Sequence, residues 1–152
     1  MSEKPKPVRR IVTVDDKNGK SKAIADGPAP DVRTDPARPG FSSTRIWVTD
    51  RTPARINASE TLDLPHALEP PAGGSVFRVV TLPPDQAPHP DRQKTRTLDF
   101  CLVLQGEVTL MLDTQEVKLN QGDTVVQRGT RHAWSNRSTR PCVIAISSHD
   151  AQ

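Results

Sequence analysis

From residue 98 onward, the chain consists almost entirely of short apolar segments separated by turn residues, and this pattern restricts the fold more than any other feature. The segments read LDFCLVL, EVTLML, EVKLN, DTVVQR, HAWSN and CVIAIS, and the connections between them include QG, DTQ, QG and RSTRP. Short strands at regular spacing with turn residues between them are typical of an antiparallel sandwich or barrel. We therefore predict an all-β fold.

The first part of the chain is different, because fourteen of the fifteen prolines lie before residue 91. RRIVTV and SKAIA flank an Asn-Gly turn, which predicts a β-hairpin. ADGPAPDVRTDPARPG is expected to be an irregular crossing loop, whereas STRIWVTD and SVFRVVTL are predicted strands. We therefore expect residues 1–45 to form an arm and hairpin that is not an independent domain, and residues 46–152 to form the barrel domain.

The segment LDFCLVL is apolar at every position except Asp99, so both of its faces should be covered. It is predicted to be an interior strand. The N-terminal hairpin, either of the same chain or of a second copy, is the expected cover for its outer side.

The net charge of +3 is concentrated at the N-terminus, since residues 1–22 hold seven Lys/Arg and three Asp/Glu. This arm has no interleaved aromatic residues that could stack on bases, so a nucleic-acid partner is not expected. No apolar run approaches the ~20 residues of a membrane span, and the first residues lack the apolar segment of a signal peptide. Cys101 and Cys142 lie within apolar runs. A cytoplasmic protein with reduced, buried thiols and no membrane partner is therefore expected.

LDFCLVLQGEVTLML followed by LNQGDTVVQRGTRHAWSN resembles the two motif regions of the cupin superfamily. The resemblance covers roughly residues 75–148 and implies a small β-barrel of jelly-roll topology, so that the whole fold is a cupin-type barrel with an N-terminal hairpin arm. It also implies a homodimer. The patterns GG-x-VFRVV and QRGT-x-HAW resemble a bacterial and fungal subgroup, several members of which occur beside pathways for aromatic or polyketide compounds.

The second cupin motif reads G-x5-P-x-G-x2-H-x3-N and fits with two departures. Gly122 opens it, His132 stands at the metal-ligand position and Asn136 follows. Arg128 replaces the proline, and the stretch before His132 is one residue short. On a strand, His132, Trp134 and Asn136 would project from one face towards the pocket.

The first motif reads G-x5-H-x-H-x3-4-E-x6-G and fits less well. Counting back from Gly106 puts Asp99 at the glutamate position, whereas the histidine positions carry no histidine in either spacing (Gln93 and Thr95, or Arg92 and Lys94). Ala87 replaces the opening glycine. Catalytic metal sites usually have three protein ligands. We therefore expect no cofactor, and a weakly bound Fe, Mn, Ni or Zn held by His132, Asp99 and Gln93 is the alternative; His89 and His66 are expected to be surface residues.

Without a metal, His132 could carry protons and Asp99 could orient and charge it. The alternative is that the pair only fills the barrel with a satisfied polar contact. Arg78 interrupts an apolar strand and is expected to bind a carboxylate, phenolate or enolate oxygen, although it could instead snorkel at a strand edge or pair with an acidic neighbour.

Four further residues complete the predicted substrate site: Trp134 and Trp47 as apolar walls, or as core residues, with Asn136 and Gln93 as polar contacts. Three functions follow, in order of preference. The first is acid–base chemistry of the lyase, dehydratase, isomerase or cyclase type on an oxygenated, aromatic or polyketide-like substrate. The second is a metal-dependent enzyme with an incomplete ligand set, and the third is a small-molecule-binding protein without catalysis.

Overall fold

The computed structural model describes residues 5–57, 60–65, 67, 69–85 and 94–152. This part of the chain contains strands and no helix, so it also contains no helix that could span a membrane. The strands are β1 (Arg9–Asp15), β2 (Ser21–Pro28), β3 (Asp31–Thr34), β4 (Ser42–Thr49), β5 (Ser75–Leu82), β6 (Thr97–Gln105), β7 (Val108–Met111), β8 (Glu116–Leu119), β9 (Thr124–Arg128), β10 (Ala133–Ser135) and β11 (Cys142–Asp150). The prediction of an all-β fold is confirmed.

The predicted N-terminal hairpin is present as a two-stranded sheet of β1 and β2. Its turn closes at Gly19, which has a φ of 75°, and the Asp16 carboxylate accepts hydrogen bonds from the backbone N–H groups of Asn18 and Lys20. Glycine is favoured at such a positive φ because it has no Cβ. The Asn-Gly signal therefore marked this turn correctly.

The main sheet has six strands in the order β3-β4-β5-β11-β6-β9. It includes β3 and the first half of β4, which lie within residues 1–45 that we expected to form the arm. The prediction of one irregular loop over residues 25–40 is therefore wrong in part: β2 extends to Pro28, and β3 pairs with β4 at the edge of the main sheet. Proline is tolerated at strand ends and edges, where no ladder hydrogen bond is lost.

A smaller sheet, in the order β10-β7-β8, packs against the main sheet. The buried core between them draws Leu82, Cys101, Val103, Cys142 and Ile144 from the main sheet and Val108, Leu110 and Leu119 from the smaller one. Each of these strands contributes alternate residues to the core, as the two-residue period of a strand requires. The six segments predicted after residue 98 correspond to β6–β11.

Close approach of two backbones fixes the entry to β5. A Cβ added at Gly74 would lie 1.9 Å from the carbonyl oxygen of Thr49 on β4. No side chain fits at that distance, so only glycine can occupy this position.

The outer face of β6 is not covered by the residues of this chain that the structure describes. Thr97, Asp99, Cys101 and Val103 point inward, whereas Phe100, Leu102 and Leu104 point outward and are 49%, 38% and 44% exposed. Val126 on the neighbouring β9 is also exposed. The hairpin contacts β4 through Arg10 and does not lie on this face, so the expectation that it covers β6 within its own chain is wrong.

Candidate functional site

Polar side chains replace apolar ones along one row of the main sheet's inner face. In this row, Asp99 on β6 stands between Gln127 on β9 and Ser148 on β11. All three are more than nine-tenths buried, with exposures of 7%, 3% and 6%. Directly opposite residues on neighbouring strands share a face, so the three side chains lie side by side inside the barrel.

Two atoms of this row lack hydrogen-bond partners among the described residues. They are Oδ1 of Asp99 and Nε2 of Gln127. One is an acceptor and the other is a donor, and they belong to directly opposed residues. A buried polar atom without a partner costs free energy, so such a pair is unusual outside functional sites.

Arg78 faces the same interior from β5, two strands away from Asp99. The strand spacing separates their backbones by roughly 10 Å, part of which the long arginine side chain can span. Burial lowers the pKa of the Arg78 guanidinium below its ordinary value; the Asp99 carboxylate opposes this shift and the nearby Arg45 adds to it. Arg78 and Asp99 therefore interact electrostatically, which agrees with the alternative that Arg78 pairs with an acidic neighbour, and the binding of a substrate anion by Arg78 stays a prediction.

Arg45, a residue that our sequence analysis did not identify, anchors the chain beside Arg78. It is directly opposite Arg78 on β4 and is 4% exposed. Its guanidinium pairs with Asp31 on β3 and donates to the carbonyl oxygens of Leu62, Leu64 and Pro65. These contacts use the guanidinium to fix the segment 62–65, so Arg45 is structural.

The turn between β9 and β10 connects Gln127 to His132 through Thr130. The Thr130 hydroxyl donates to Oε1 of Gln127 at 2.6 Å, and the Thr130 carbonyl oxygen is 2.8 Å from Nδ1 of His132. Gly129 has a φ of 66° and a Cβ there would lie 3.3 Å from the Thr95 carbonyl oxygen, so the turn requires glycine. The segment QRGTRH is therefore one hydrogen-bonded unit.

The tautomer of His132 follows from this contact. A carbonyl oxygen can only accept, so Nδ1 of a neutral His132 must carry the hydrogen and Nε2 must carry the lone pair. The sequence predicts that Asp99 orients the His132 ring. In the structure, the hydrogen bond of His132 is accepted by the Thr130 carbonyl oxygen instead. Nε2 is left to act on a substrate.

Trp134 lies on the inner face, as predicted. It is opposite Leu110 of the smaller sheet and packs against the buried core. Its ring meets the His132 ring edge-on, with 6.0 Å between the centroids. Trp134 therefore supplies an apolar surface next to the imidazole.

Asn136 has a different role from the predicted one. It is 1% exposed, and its Nδ2 donates to the carbonyl oxygens of Leu82 and Arg140. Its Oδ1 accepts from the backbone N–H and the hydroxyl of Ser138. The amide is fully used in joining the end of β5 to the turn before β11, so the expectation that it binds substrate is wrong.

Trp47 also lies away from the pocket. It is opposite Phe77, whose side chain is 38% exposed on the outer face, and the guanidinium of Arg10 lies 5.5 Å from the Trp47 ring centroid. The prediction that Trp47 forms a pocket wall is therefore wrong, because the bulge in β4 places it on the outer face beneath the hairpin.

Cys101 faces the core beside Asp99 and remains a thiol. Burial raises the pKa of Cys101 to about 12, and the Asp99 charge adds to this shift. A thiol with so high a pKa is a poor nucleophile, and its burial agrees with the expectation of a buried thiol.

The described residues do not fit a three-ligand metal site. Among residues 5–57, 60–65, 67, 69–85 and 94–152, no three His, Cys, Asp or Glu side chains come together to hold a metal ion. His132 and Asp99 could each offer one atom. Gln93, together with His89 and His66, lies outside the described residues, so the predicted ligand set of His132, Asp99 and Gln93 stays a prediction.

Comparison with known proteins agrees with this architecture. The cupin domain family matches residues 78–148, which run from β5 through β11. The cupin domain of Schizosaccharomyces pombe Cnp3 superposes with a TM-score of 0.56 at 10% identity, over 93% of this chain and 87% of that one. Residues 78–148 of this chain are a cupin domain.

Two fungal relatives share more of the sequence of this cupin. Phomopsin biosynthesis cluster protein C' of Diaporthe leptostromiformis is 42% identical over 86 residues, which are 55% of this chain and 43% of the relative. The cupin-domain-containing oxidoreductase virC of Hypocrea virens is 35% identical over 95 residues, 60% of this chain and 48% of the relative. The cupin therefore spans less than half the length of these two relatives. It is similar to cupin-domain proteins of fungal biosynthesis clusters.

Sequence reasoning missed Gln127 and Thr130. The available signal was the alternation of DTVVQR, which places Gln127 on the same face as the core residue Val125. A glutamine at an inward position of a strand needs a partner or a role.

Proposed function

We propose that this cupin binds a small oxygenated, aromatic or polyketide-like molecule inside its barrel and catalyses proton transfer on it. The observation that carries the proposal is the buried polar row, in which the Asp99 carboxylate keeps one oxygen without a partner among the described residues. Maintaining such a group inside a barrel costs stability, and this cost is understandable if a ligand satisfies it.

In this proposal, Nε2 of His132 acts as the general base. It takes a proton from the carbon next to a carbonyl group; the C–H electron pair forms a carbon–carbon double bond, and the π pair of the carbonyl group moves onto its oxygen to give an enolate. The proton is then returned to a different atom, so the product is a tautomer or isomer of the substrate. Arg78 attracts a carboxylate or the developing enolate oxygen, and Asp99 balances the positive charge that builds up on His132. Trp134 would form the apolar wall.

The test uses phenylpyruvate, which carries an aromatic ring, a carboxylate and an enolisable methylene group. Exchange of its methylene protons into deuterium oxide is followed by proton NMR with and without enzyme. His132→Gln should slow the enzymatic exchange by roughly 100-fold or more, the usual contribution of a general base. Arg78→Met should mainly raise the KM. Exchange no faster than in buffer, or exchange that His132→Gln leaves unchanged, would contradict the proposal and favour a binding protein without catalysis.

A metal-dependent oxidoreductase is the second candidate, because virC and two further relatives carry the name cupin-domain-containing oxidoreductase. It requires a third ligand beyond His132 and Asp99. Plasma mass spectrometry of untagged protein, before and after chelation and after re-addition of Fe, Mn, Ni and Zn, tests it. About one tightly held metal per chain, lost in His132→Gln, would favour this candidate.

We also propose that a second copy of the chain covers the outer face of β6. Phe100, Leu102 and Leu104 form a continuous exposed apolar strip there, and the hairpin carries its own exposed Ile11 and Ile24. Contiguous apolar surface of this kind usually marks an interface. The wild-type protein should sediment as a dimer, and the Leu104→Lys variant should sediment closer to the monomer. A wild-type protein that sediments as a monomer at all concentrations would contradict the proposal.

A further inference from the structure

Gln127 and Asp99 bring a directly opposed donor and acceptor together inside the barrel. Gln127 is 3% exposed and Asp99 is 7% exposed, and neither Nε2 of the amide nor Oδ1 of the carboxylate has a partner among the described residues. They stand on β9 and β6, which pair directly. These two atoms are therefore available to the same small group.

The Gln127 amide cannot simply turn away to find another partner. Its Oε1 is held by the Thr130 hydroxyl at 2.6 Å, and Thr130 is itself held through the carbonyl that contacts His132. Because this hydrogen bond fixes Oε1, it also fixes the orientation of the amide group and the position of Nε2. Turning the amide over would leave its oxygen without a donor instead, so one amide atom stays unpaired in either orientation.

We propose that Gln127 and Asp99 together recognise a hydroxyl group of the substrate. A hydroxyl is both a donor and an acceptor, so it can donate to Oδ1 of Asp99 and accept from Nε2 of Gln127 at the same time. A carbonyl oxygen could only accept and would leave Asp99 unsatisfied. The pair therefore selects an alcohol, phenol or enol over the corresponding ketone or unsubstituted carbon.

This inference rests on the proposed function only in assuming that the ligand enters the barrel and that Arg78 attracts its carboxylate. Within that function, the pair would hold the enol form of a keto acid with its hydroxyl next to His132. Thr130 positions Gln127 and His132 together, which places hydroxyl recognition and proton transfer on one turn.

The test compares two probes that differ only in a hydroxyl group, 3-phenyllactate and 3-phenylpropanoate. Neither has an acidic C–H beside a ketone, so binding is measured without turnover by isothermal titration or NMR titration. The wild-type protein should bind 3-phenyllactate roughly 5- to 100-fold more tightly, as expected when a buried polar pair would otherwise stay unsatisfied. Gln127→Met should reduce this ratio at least about fivefold and leave the affinity for 3-phenylpropanoate unchanged.

Gln105→Met is the matched control, since Gln105 is an exposed glutamine at the end of β6. It should leave both affinities unchanged. The melting temperature of ligand-free Gln127→Met should stay within about 3 °C of the wild type, because the variant loses one bond to an exposed threonine and also loses a buried unpaired donor. A larger fall would make Gln127 a structural residue and would overturn the proposal.

Two other outcomes would also overturn it. Equal affinity for the two probes would mean that a water molecule, which has the same hydrogen-bonding chemistry, satisfies the pair. Failure of the wild-type protein to bind either probe would reject the hydroxy-acid class of ligand. The two probes do not react, so their binding is tested separately from catalysis. Selective binding of 3-phenyllactate without exchange of phenylpyruvate would retain this inference and reject the proposed catalysis. Exchange of phenylpyruvate without selective binding of 3-phenyllactate would retain the proposed catalysis and reject this inference.

Discussion

Replacement of Asn136 by alanine separates a structural role from a ligand-binding role. The side chain is 1% exposed and makes four hydrogen bonds, two donated to the Leu82 and Arg140 carbonyl oxygens and two accepted from Ser138. At about 1 kcal/mol each they would contribute about 4 kcal/mol. Ser138 and Arg140 are accessible enough for water to replace their hydrogen bonds to Asn136, whereas Leu82 is buried and its carbonyl oxygen would lose its partner. The expected loss is therefore about 2–4 kcal/mol.

For a chain of this length, such a loss lowers the melting temperature by about 6–12 °C. Circular dichroism melts of Asn136→Ala measure it, with Asn120→Ala at an exposed turn as the matched control. Ser138→Ala, which removes only the hydroxyl contacts, should cost about 1 kcal/mol or less. A melting temperature within about 2 °C of the wild type, accompanied by weaker binding of 3-phenyllactate, would refute this reasoning and return Asn136 to the ligand site.

Three further outcomes are expected. Gly74→Ala should abolish or strongly reduce soluble folded protein, because its Cβ has no space; a normal melt would show that the two backbones can separate. Burial raises the pKa of Cys101 to about 12 and of Cys142 to about 11, so iodoacetamide at about pH 8 should label these thiols only after denaturation, and rapid native labelling would contradict their burial. Burial raises the pKa of Glu60, but hydrogen bonds from Arg10 and two backbone amides lower it more, giving a net lowering. A carboxyl group whose pKa is lowered in the folded state stabilises that state at higher pH, and this stabilisation is lost as the pH falls and the group is protonated. The tryptophan fluorescence of the wild type should therefore change between roughly pH 5 and pH 3, and that of Arg10→Gln should not.

The strands were predictable because their signals are local. Alternation and turn residues located β6–β11, and the Asn-Gly pair located the hairpin, since each depends on only a few neighbouring residues. β3 was missed because its pairing with β4 is a tertiary contact that overrides a proline-rich composition. The division of the chain into residues 1–45 and 46–152 stays a prediction.

The site was predictable only in part. Parity placed Asp99 and Trp134 on the inner face, and a single arginine within an apolar strand identified Arg78. Trp47 was misplaced because the bulge in β4 reverses the alternation, and a bulge has no signal in this sequence. Asn136 was misassigned because parity indicates the face of a strand but not the hydrogen bonds that a side chain makes at its end. The cytoplasmic location stays a prediction.

The most informative residues for function are those that contradict the rules by which the rest of the barrel is built. Elsewhere in the described core, inward positions of β6 and β9 carry apolar residues or a hydrogen-bonded threonine, so Asp99 and Gln127 could have been apolar without altering the alternation. Two buried atoms that have no partner in the described part of the chain reduce the stability of the ligand-free protein. Most proteins have little stability to lose, so such a pair persists only if something favours it. If a ligand hydroxyl is the cause, ligand-free protein carrying Gln127→Met should be nearly as stable as the wild type and should bind no hydroxylated probe selectively, whereas Asp99 must stay in place because its charge opposes the effect of burial on Arg78.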